Sequence, residues 1–256
     1  MKDKIMGSEK SYNHRTHAGN AGDVWKHFLL GEVADYLLSK KRRLVYAESH
    51  VGYPKYRLEE PEEWEGGIGK CWPKIMDLKA FSYFKILSAM NPQSLEIYPG
   101  SASLIFKVAR WRGAVLQAEL WDEDPRVAGA WRGTEGVSFH LGDGFKGVRA
   151  LLGRSPPGLL FIDPPYLDQK DLKLVLGLLN ASQSAGWIVL WWQMMGHENF
   201  SSELERFSLE FRQAGLDGGQ WIGSVVSLAS SDQELKKLLE RRIQQFLEIM
   251  RPAEQL

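Results

Sequence analysis

Short apolar runs alternate with stretches of helical periodicity along most of the chain, and this alternation constrains the fold more than any other feature. Leu44 to Ala47 reads as a buried strand after a basic turn, and Ala114 to Glu119 as a strand closing on a carboxylate. Val137 to Leu141 reads as another strand, followed by Gly142-Asp143-Gly144. The clearest is Gly158 to Ile162, which runs into Asp163-Pro164-Pro165-Tyr166. Trp187 to Trp192 is apolar throughout, and a further strand is expected near Val225 to Leu228. Between these runs, helical spacing covers Val24 to Leu38 behind an Asp23 cap, Ser101 to Ala109, Leu172 to Leu179 and Glu203 to Gln213. The end, Ser231 to Arg251, is amphipathic, and residues 57–95, with a helical stretch from Ile75 to Met90, resemble an inserted subdomain. The pattern predicts an α/β fold with a mostly parallel sheet. In such sheets ligands bind beyond the carboxyl ends of the strands, so the polar residues at those ends are the candidates for function.

The chain has 256 residues, enough for one sizeable core or a core plus a small subdomain. No apolar run approaches the ~20 residues needed to span a bilayer, so no membrane role is expected. The charged stretch Met1 to Lys10 lacks the apolar segment of a secretory signal, and a cytoplasmic location is expected. The single cysteine, Cys71, excludes a disulfide framework and reads as a small packing residue. Lys plus Arg and Asp plus Glu balance at 32 each, but residues 1–57 hold 11 basic against 6 acidic side chains. That segment includes Lys40-Lys41-Arg42-Arg43, and its interleaved polar and aromatic residues point to function. The acidic run from Glu59 to Glu65 reads as a solvated face.

The residues at the strand ends carry the chemistry. Two prolines after Asp163 hold the backbone extended, with carbonyls that no helix can use. A carboxylate and a proline carbonyl can accept both N–H bonds of an exocyclic amino group and localise its lone pair, while Tyr166 can stack on the base. Glu119, at its expected strand end, suits ribose hydroxyls. Asp143, between glycines, suits either the amino group of an adenine or a plain Asp-Gly turn. His14 and His17 lack acidic or cysteine partners at ligand spacing, so no metal is expected.

Tyr12 to His27, Tyr98-Pro99-Gly100-Ser101, Asp143-Gly144-Phe145 and Ile162-Asp163-Pro164-Pro165-Tyr166 occur in this order. Together they resemble the RlmJ family of S-adenosylmethionine-dependent methyltransferases, which modify adenine N6 in large-subunit ribosomal RNA. The resemblance runs from about Tyr12 to about Leu228. It implies a single Rossmann-like methyltransferase domain over 1–256, with a substrate-binding segment at 1–30 and a small helical insertion at about 57–95. It also implies a catalytic Asp163 supported by Pro164 and Tyr166. Donor contacts are implied at His27, His50, Ser101, Glu119, Asp143, Gly144 and Asp163, and RNA contacts at Tyr12, His14, Lys26 and Tyr166. A monomer is expected. Family members have also been linked to the use of external DNA as a nutrient.

The chain departs from the family pattern at three places. Glu48 stands where the family has aspartate, and Pro54 replaces the second glycine of the loop Ser49-His50-Val51-Gly52-Tyr53-Pro54. Proline there is expected to displace or stiffen the loop and weaken the donor site. Leu216-Asp217-Gly218-Gly219-Gln220 replaces a longer segment. Two rival readings follow: a DNA adenine methyltransferase, and a nucleic-acid-binding protein whose donor site has decayed.

Overall fold

The computed structural model describes residues 17–58, 62–164, 169–196 and 204–251. The first long helix, α1 (Ala21–Lys40), starts one turn earlier than expected, because Asn20 and not Asp23 is its cap. The two side chains act reciprocally. Asn20 Oδ1 accepts from the Asp23 backbone N–H at 2.9 Å, and Asp23 Oδ2 accepts from the Gly19 N–H at 2.8 Å. This satisfies backbone donors that a helix start leaves open. α1 is buried on most sides, with Trp25, Phe28, Leu29 and Val33 fully enclosed.

The remaining strands and helices follow in the expected alternation. β1 (Arg43–Glu48) leads to the short β2 (Lys55–Arg57), and the stretch that follows carries α2 (Ile68–Cys71), α3 (Ile75–Leu78) and α4 (Ser82–Met90). Next come β3 (Ile97–Pro99), α5 (Ser101–Arg112), β4 (Val115–Asp122), α6 (Pro125–Trp131), β5 (Val137–Leu141) and α7 (Gly144–Leu152). The second half holds β6 (Leu159–Ile162), α8 (Gln169–Ser184), β7 (Ile188–Met194), β8 (Glu205–Glu210), β9 (Gly223–Ala229) and α9 (Gln233–Met250).

Seven strands form one sheet in the order β5-β4-β1-β6-β7-β9-β8. Only β9 runs against its neighbours; β1, β4, β5, β6 and β7 are parallel. The order reverses at β1, so the crevice of such a sheet opens at the carboxyl ends of β1, β4 and β6. One face is covered by the cluster of α1, α4, α5 and α9, and the other by α7 and α8. Phe246 of α9 stacks on Phe28 of α1 at 4.9 Å and on Phe84 of α4 at 5.9 Å. Buried Glu32 of α1 accepts from Ser82 N at 2.8 Å and from Arg242 Nε at 2.7 Å, tying α1, α4 and α9 together.

Two expected helices come out differently. Ile75 to Met90 splits at Phe81, whose extended backbone lets its ring enter the aromatic cluster 5.1 Å from Phe28. The stretch Glu203 to Gln213 holds β8 and a short 3-10 turn, with no α-helix among its described residues. Phe207 and Leu209 are buried while Arg206, Ser208 and Glu210 are exposed, a period of two that suits a strand. Glu63 of the acidic run is not a bare solvated charge, since it bonds His17 Nδ1 and Asn20 Nδ2, both at 2.9 Å. Cys71 is buried, as its packing role requires.

Candidate active site

A cleft opens where the carboxyl ends of β1, β6 and β7 meet the first turns of α1 and α5. Asp163 leaves β6 on the α1 side of the sheet. Its Oδ2 receives the Lys26 ammonium at 2.7 Å, and the same ammonium meets Asp23 Oδ1 at 2.7 Å. The three side chains are mostly shielded from solvent. Burial opposes the charge on Lys26, but the Asp163 and Asp23 carboxylates outweigh it and hold its pKa above the ordinary lysine value. Burial likewise opposes ionisation of Asp23, and Lys26 reverses the balance, so Asp23 titrates below the usual carboxylate range. The Lys26 ammonium also lies 4.7 Å from the centre of the Trp192 ring, which forms a wall of the cleft. Lys26 is thus engaged by internal carboxylates. The expected RNA contact of Lys26 would have to compete with both of them.

The other half of the cleft holds an acid with neutral partners. Glu48, at the end of β1, is 1 % exposed. Its Oε2 accepts from the Tyr46 hydroxyl at 2.6 Å, and its Oε1 accepts from Ser101 Oγ. Burial pushes the Glu48 carboxyl up to about 8, against the pull of both hydroxyl bonds. His27 is buried, lines the cleft and stacks on Tyr98, with its Nδ1 2.8 Å from the Tyr98 hydroxyl. Burial depresses its pKa to about 4, so it is neutral near pH 7. The Tyr98 hydroxyl lies between His27 Nδ1 at 2.8 Å and the Tyr83 hydroxyl at 3.0 Å, so the three side chains form one buried hydrogen-bonded row.

The loop after β1 keeps the geometry a ligand needs. Gly52 has φ of +65°, donates its N–H to Asp122 Oδ2 at 3.1 Å and accepts from Trp131 Nε1 at 2.9 Å. A side chain at Gly144 would collide with the Ser49 carbonyl at 1.8 Å, so glycine lets the start of α7 press against this loop. Phe145 then meets the His50 ring edge-on at 4.9 Å. Pro54 does not displace the loop from the cleft. It precedes β2, where its missing N–H costs nothing, and its carbonyl accepts from Gly100 N at 3.1 Å.

Glu119, Asp122 and Asp143 all lie outside the residues that line the cleft. β4 runs three residues beyond Glu119, whose Oε2 bonds His140 Nε2 at 2.7 Å outside the cleft lining. Asp122 is the acid that closes the strand and touches the loop. Asp143 caps α7 through Lys146 N at 3.1 Å, and that backbone bond leads the effects that hold its pKa below the usual range. Tyr12, His14 and Tyr166 lie outside the described residues. Sequence reasoning missed Asp23 and Trp192 as cleft residues, and missed Asp122 and Phe145 as supports of the lining residues Gly52 and His50. Alternation along Trp187 to Trp192 already puts Trp192 on the opposite face from Trp191. Among the described residues, no group of three or more His, Cys, Asp or Glu side chains is arranged to hold a metal ion. No described helix is long and apolar enough to cross a membrane.

The strand order, the single antiparallel strand near the far edge and the crevice at the β1 switch define a Rossmann-like α/β fold of the methyltransferase type. The family described as "RsmJ: Ribosomal RNA large subunit methyltransferase D, RlmJ" matches residues 41–212, and the chain belongs to it. "Ribosomal RNA large subunit methyltransferase J" of Haemophilus influenzae (strain ATCC 51907 / DSM 11121 / KW20 / Rd) is 32% identical over 179 residues, covering 65% of this chain and 63% of the relative. The protein of the same description from Escherichia coli (strain K12) is 30% identical over 179 residues, 65% of this chain and 62% of its own length. The alignments therefore span less than two thirds of these relatives. The crystal structure of a protein from Legionella pneumophila str. Philadelphia 1 shares the fold, with a TM-score of 0.71 at 24% identity over 90% of this chain and 94% of that one.

Proposed function

We propose that this protein transfers a methyl group from S-adenosylmethionine to an adenine N6 of large-subunit ribosomal RNA. The observation that carries the reading is Asp163, held by Lys26 at the end of β6 beside Pro164, in a cleft whose other half presents the buried acid Glu48 with neutral partners. The donor is a cation with an ammonium group, ribose hydroxyls and an adenine, and it supplies an electrophilic methyl when bound. Glu48 suits the cationic end, Asp122 the hydroxyls and Asp143 the adenine amino group, and Gly144 lets the start of α7 pack directly on the Ser49 carbonyl beside them. His27, His50 and Ser101 border the same space.

Asp163 and the Pro164 carbonyl would accept the two N–H bonds of the target amino group and aim its lone pair. Orientation in a shielded site supplies most of the gain, since the amino proton becomes acidic only once the nitrogen is alkylated. Lys26 and Asp23 are positioning residues in this scheme: they fix the rotamer and charge of Asp163. Tyr12, His14 and Tyr166 remain assigned to the RNA, and the whole chain is read as one methyltransferase domain with an inserted helical segment. The test is mass spectrometry of ribosomal RNA from cells with and without the protein, paired with transfer of labelled methyl to the purified RNA. Loss of one N6-methyladenosine on deletion, and its return on adding the protein and S-adenosylmethionine, is expected. Methylation of DNA in place of RNA would overturn the substrate assignment.

A further inference from the structure

The basic run Lys40-Lys41-Arg42-Arg43 plays no part in the cleft. Lys26 sits in the first turns of α1 and Lys41 just beyond its end, 15 positions apart or about 22 Å at 1.5 Å per residue. Lys40 is engaged by Glu234 at 2.7 Å. Lys41, Arg42 and Arg43 are exposed at the opposite, amino end of the sheet. Arg42 O accepts from Val115 N at 2.9 Å and Arg43 pairs with Val115, which brings the last turn of α5 alongside. That turn carries Arg110, Trp111 and Arg112. Trp111 is 44% exposed, with the Lys85 ammonium 3.6 Å and the Arg112 guanidinium 4.7 Å from its ring centre. Asp35 meets this surface, but Arg112 already neutralises it through a two-pronged contact at 2.6 and 2.7 Å. Among the described residues, Lys41, Arg42, Arg43, Lys85 and Arg110 have no ion-pair partner.

We propose that this amino-end surface, built from Lys41, Arg42, Arg43, Lys85 and Arg110 around Trp111, is a second contact for the phosphate backbone of the RNA substrate, remote from the methyl-transfer cleft. The inference rests on the RNA reading above. In a chain of zero formal net charge, a patch of cations without counter-charges means the acids sit elsewhere. Such a patch repels itself unless a polyanion covers it. Its planar guanidinium groups suit phosphate oxygens, and the one exposed indole suits a base or ribose edge. A large folded RNA is long enough to reach both the cleft and a surface about 22 Å away along α1.

The experiment uses the triple variant Lys41→Ala/Arg42→Ala/Arg110→Ala and a fluorescently labelled fragment of large-subunit ribosomal RNA, with affinity measured from 50 to 200 mM salt. The slope of log affinity against log salt should fall in magnitude by about 2 to 3, at roughly 0.7–0.9 for each phosphate no longer neutralised. S-adenosylmethionine affinity by calorimetry should not change. Methylation of a short stem-loop holding only the target should also be unchanged, while kcat/KM on the long fragment falls. The charge-keeping variant Lys41→Arg/Arg42→Lys/Arg110→Lys should retain the wild-type slope. If the wild-type protein binds and methylates the long RNA and the triple variant keeps its slope, the surface assignment is wrong. An RNA slope that falls as stated without any methyl transfer would leave the surface standing and overturn the reading of the cleft. If the wild-type protein binds no RNA, both fall. Binding to phosphatidylserine vesicles that the triple variant loses, with an unchanged RNA slope, would replace the RNA by a membrane.

Discussion

The two halves of the cleft hold carboxylates in opposite ways. On the β6 side, Asp163 and Asp23 share one ammonium, Lys26, at 2.7 Å each. On the β1 side, Glu48 has only hydroxyl hydrogen-bond partners, and Asp122, behind the loop that lines this side, accepts only from backbone N–H groups. A neutralised acid can accept from an uncharged amino group without the cost of a bare buried charge, whereas an acid with neutral partners gains most from an incoming cation. The difference is the physical ground for the proposed placing of the neutral nucleophile at β6 and the cationic donor at β1.

The contrast is most exposed to test at Asp163. Asp163→Ala should lower kcat by about 10²–10³, the cost of removing one oriented polar group from a transition-state site, with donor affinity retained. Single-turnover transfer and calorimetry separate the two, and wild-type kcat would remove the β6 side from the chemistry. Next is Lys26→Met, which leaves two shielded carboxylates facing each other. Stability should fall by about 3 kcal/mol, the low end for a broken buried pair because the three groups are not fully enclosed. Denaturant unfolding measures this, and the salt slope for RNA should stay as in wild type. A flatter slope would mean that Lys26 reaches phosphate after all.

A pair of variants probes the donor side more finely. Asp122→Asn should weaken S-adenosylmethionine binding about tenfold, in line with the roughly 1.5–3 kcal/mol of a charged hydrogen bond. Glu119→Gln should leave it unchanged, since Glu119 bonds His140 outside the cleft. The reverse order of effects would return the ribose role to Glu119. The smallest effect concerns pH. Glu48, raised to about 8, keeps its proton between its unfolded value near 4.5 and that pH. Donor affinity should therefore rise a few-fold from pH 6.5 to 8.5 as the carboxylate forms. The same shift makes Glu48 stabilise the empty protein at low pH and lose that contribution as pH rises through this window. Glu48→Gln should flatten the affinity profile; a profile that stays steep would point to another group.

Much of this architecture is legible in the amino-acid sequence. The apolar runs at Leu44 and Leu159 mark strands at their observed places, because a buried parallel strand needs little more than a short apolar stretch with turns at its ends, and Val137 to Leu141 marks the edge strand β5. Asp163 is legible because prolines punctuate the chain wherever they are placed. β8 reads wrongly as a helix because its amphipathic six residues fit either element nearly as well, and only pairing with β9 decides. Glu119 is misplaced as a strand end for a related reason: strand ends are set by the neighbouring strand, and β5 keeps pairing with β4 as far as Asp122.

Local periodicity and backbone freedom act within a few residues. They are enough to set the α/β class, the order of the motifs, the strand-end aspartate beside its prolines and the glycines that permit close approach. Which charges meet is settled in three dimensions. Lys26 and Asp163 are 137 residues apart, and nothing local says that the lysine holds the aspartate and not a phosphate. Nor does the sequence say that Lys40 to Arg43, in the same basic segment as Lys26, end at the opposite pole of the sheet. Coulomb energy falls with distance through space and not along the chain, so the fold alone sets which ions pair and which are left for a partner.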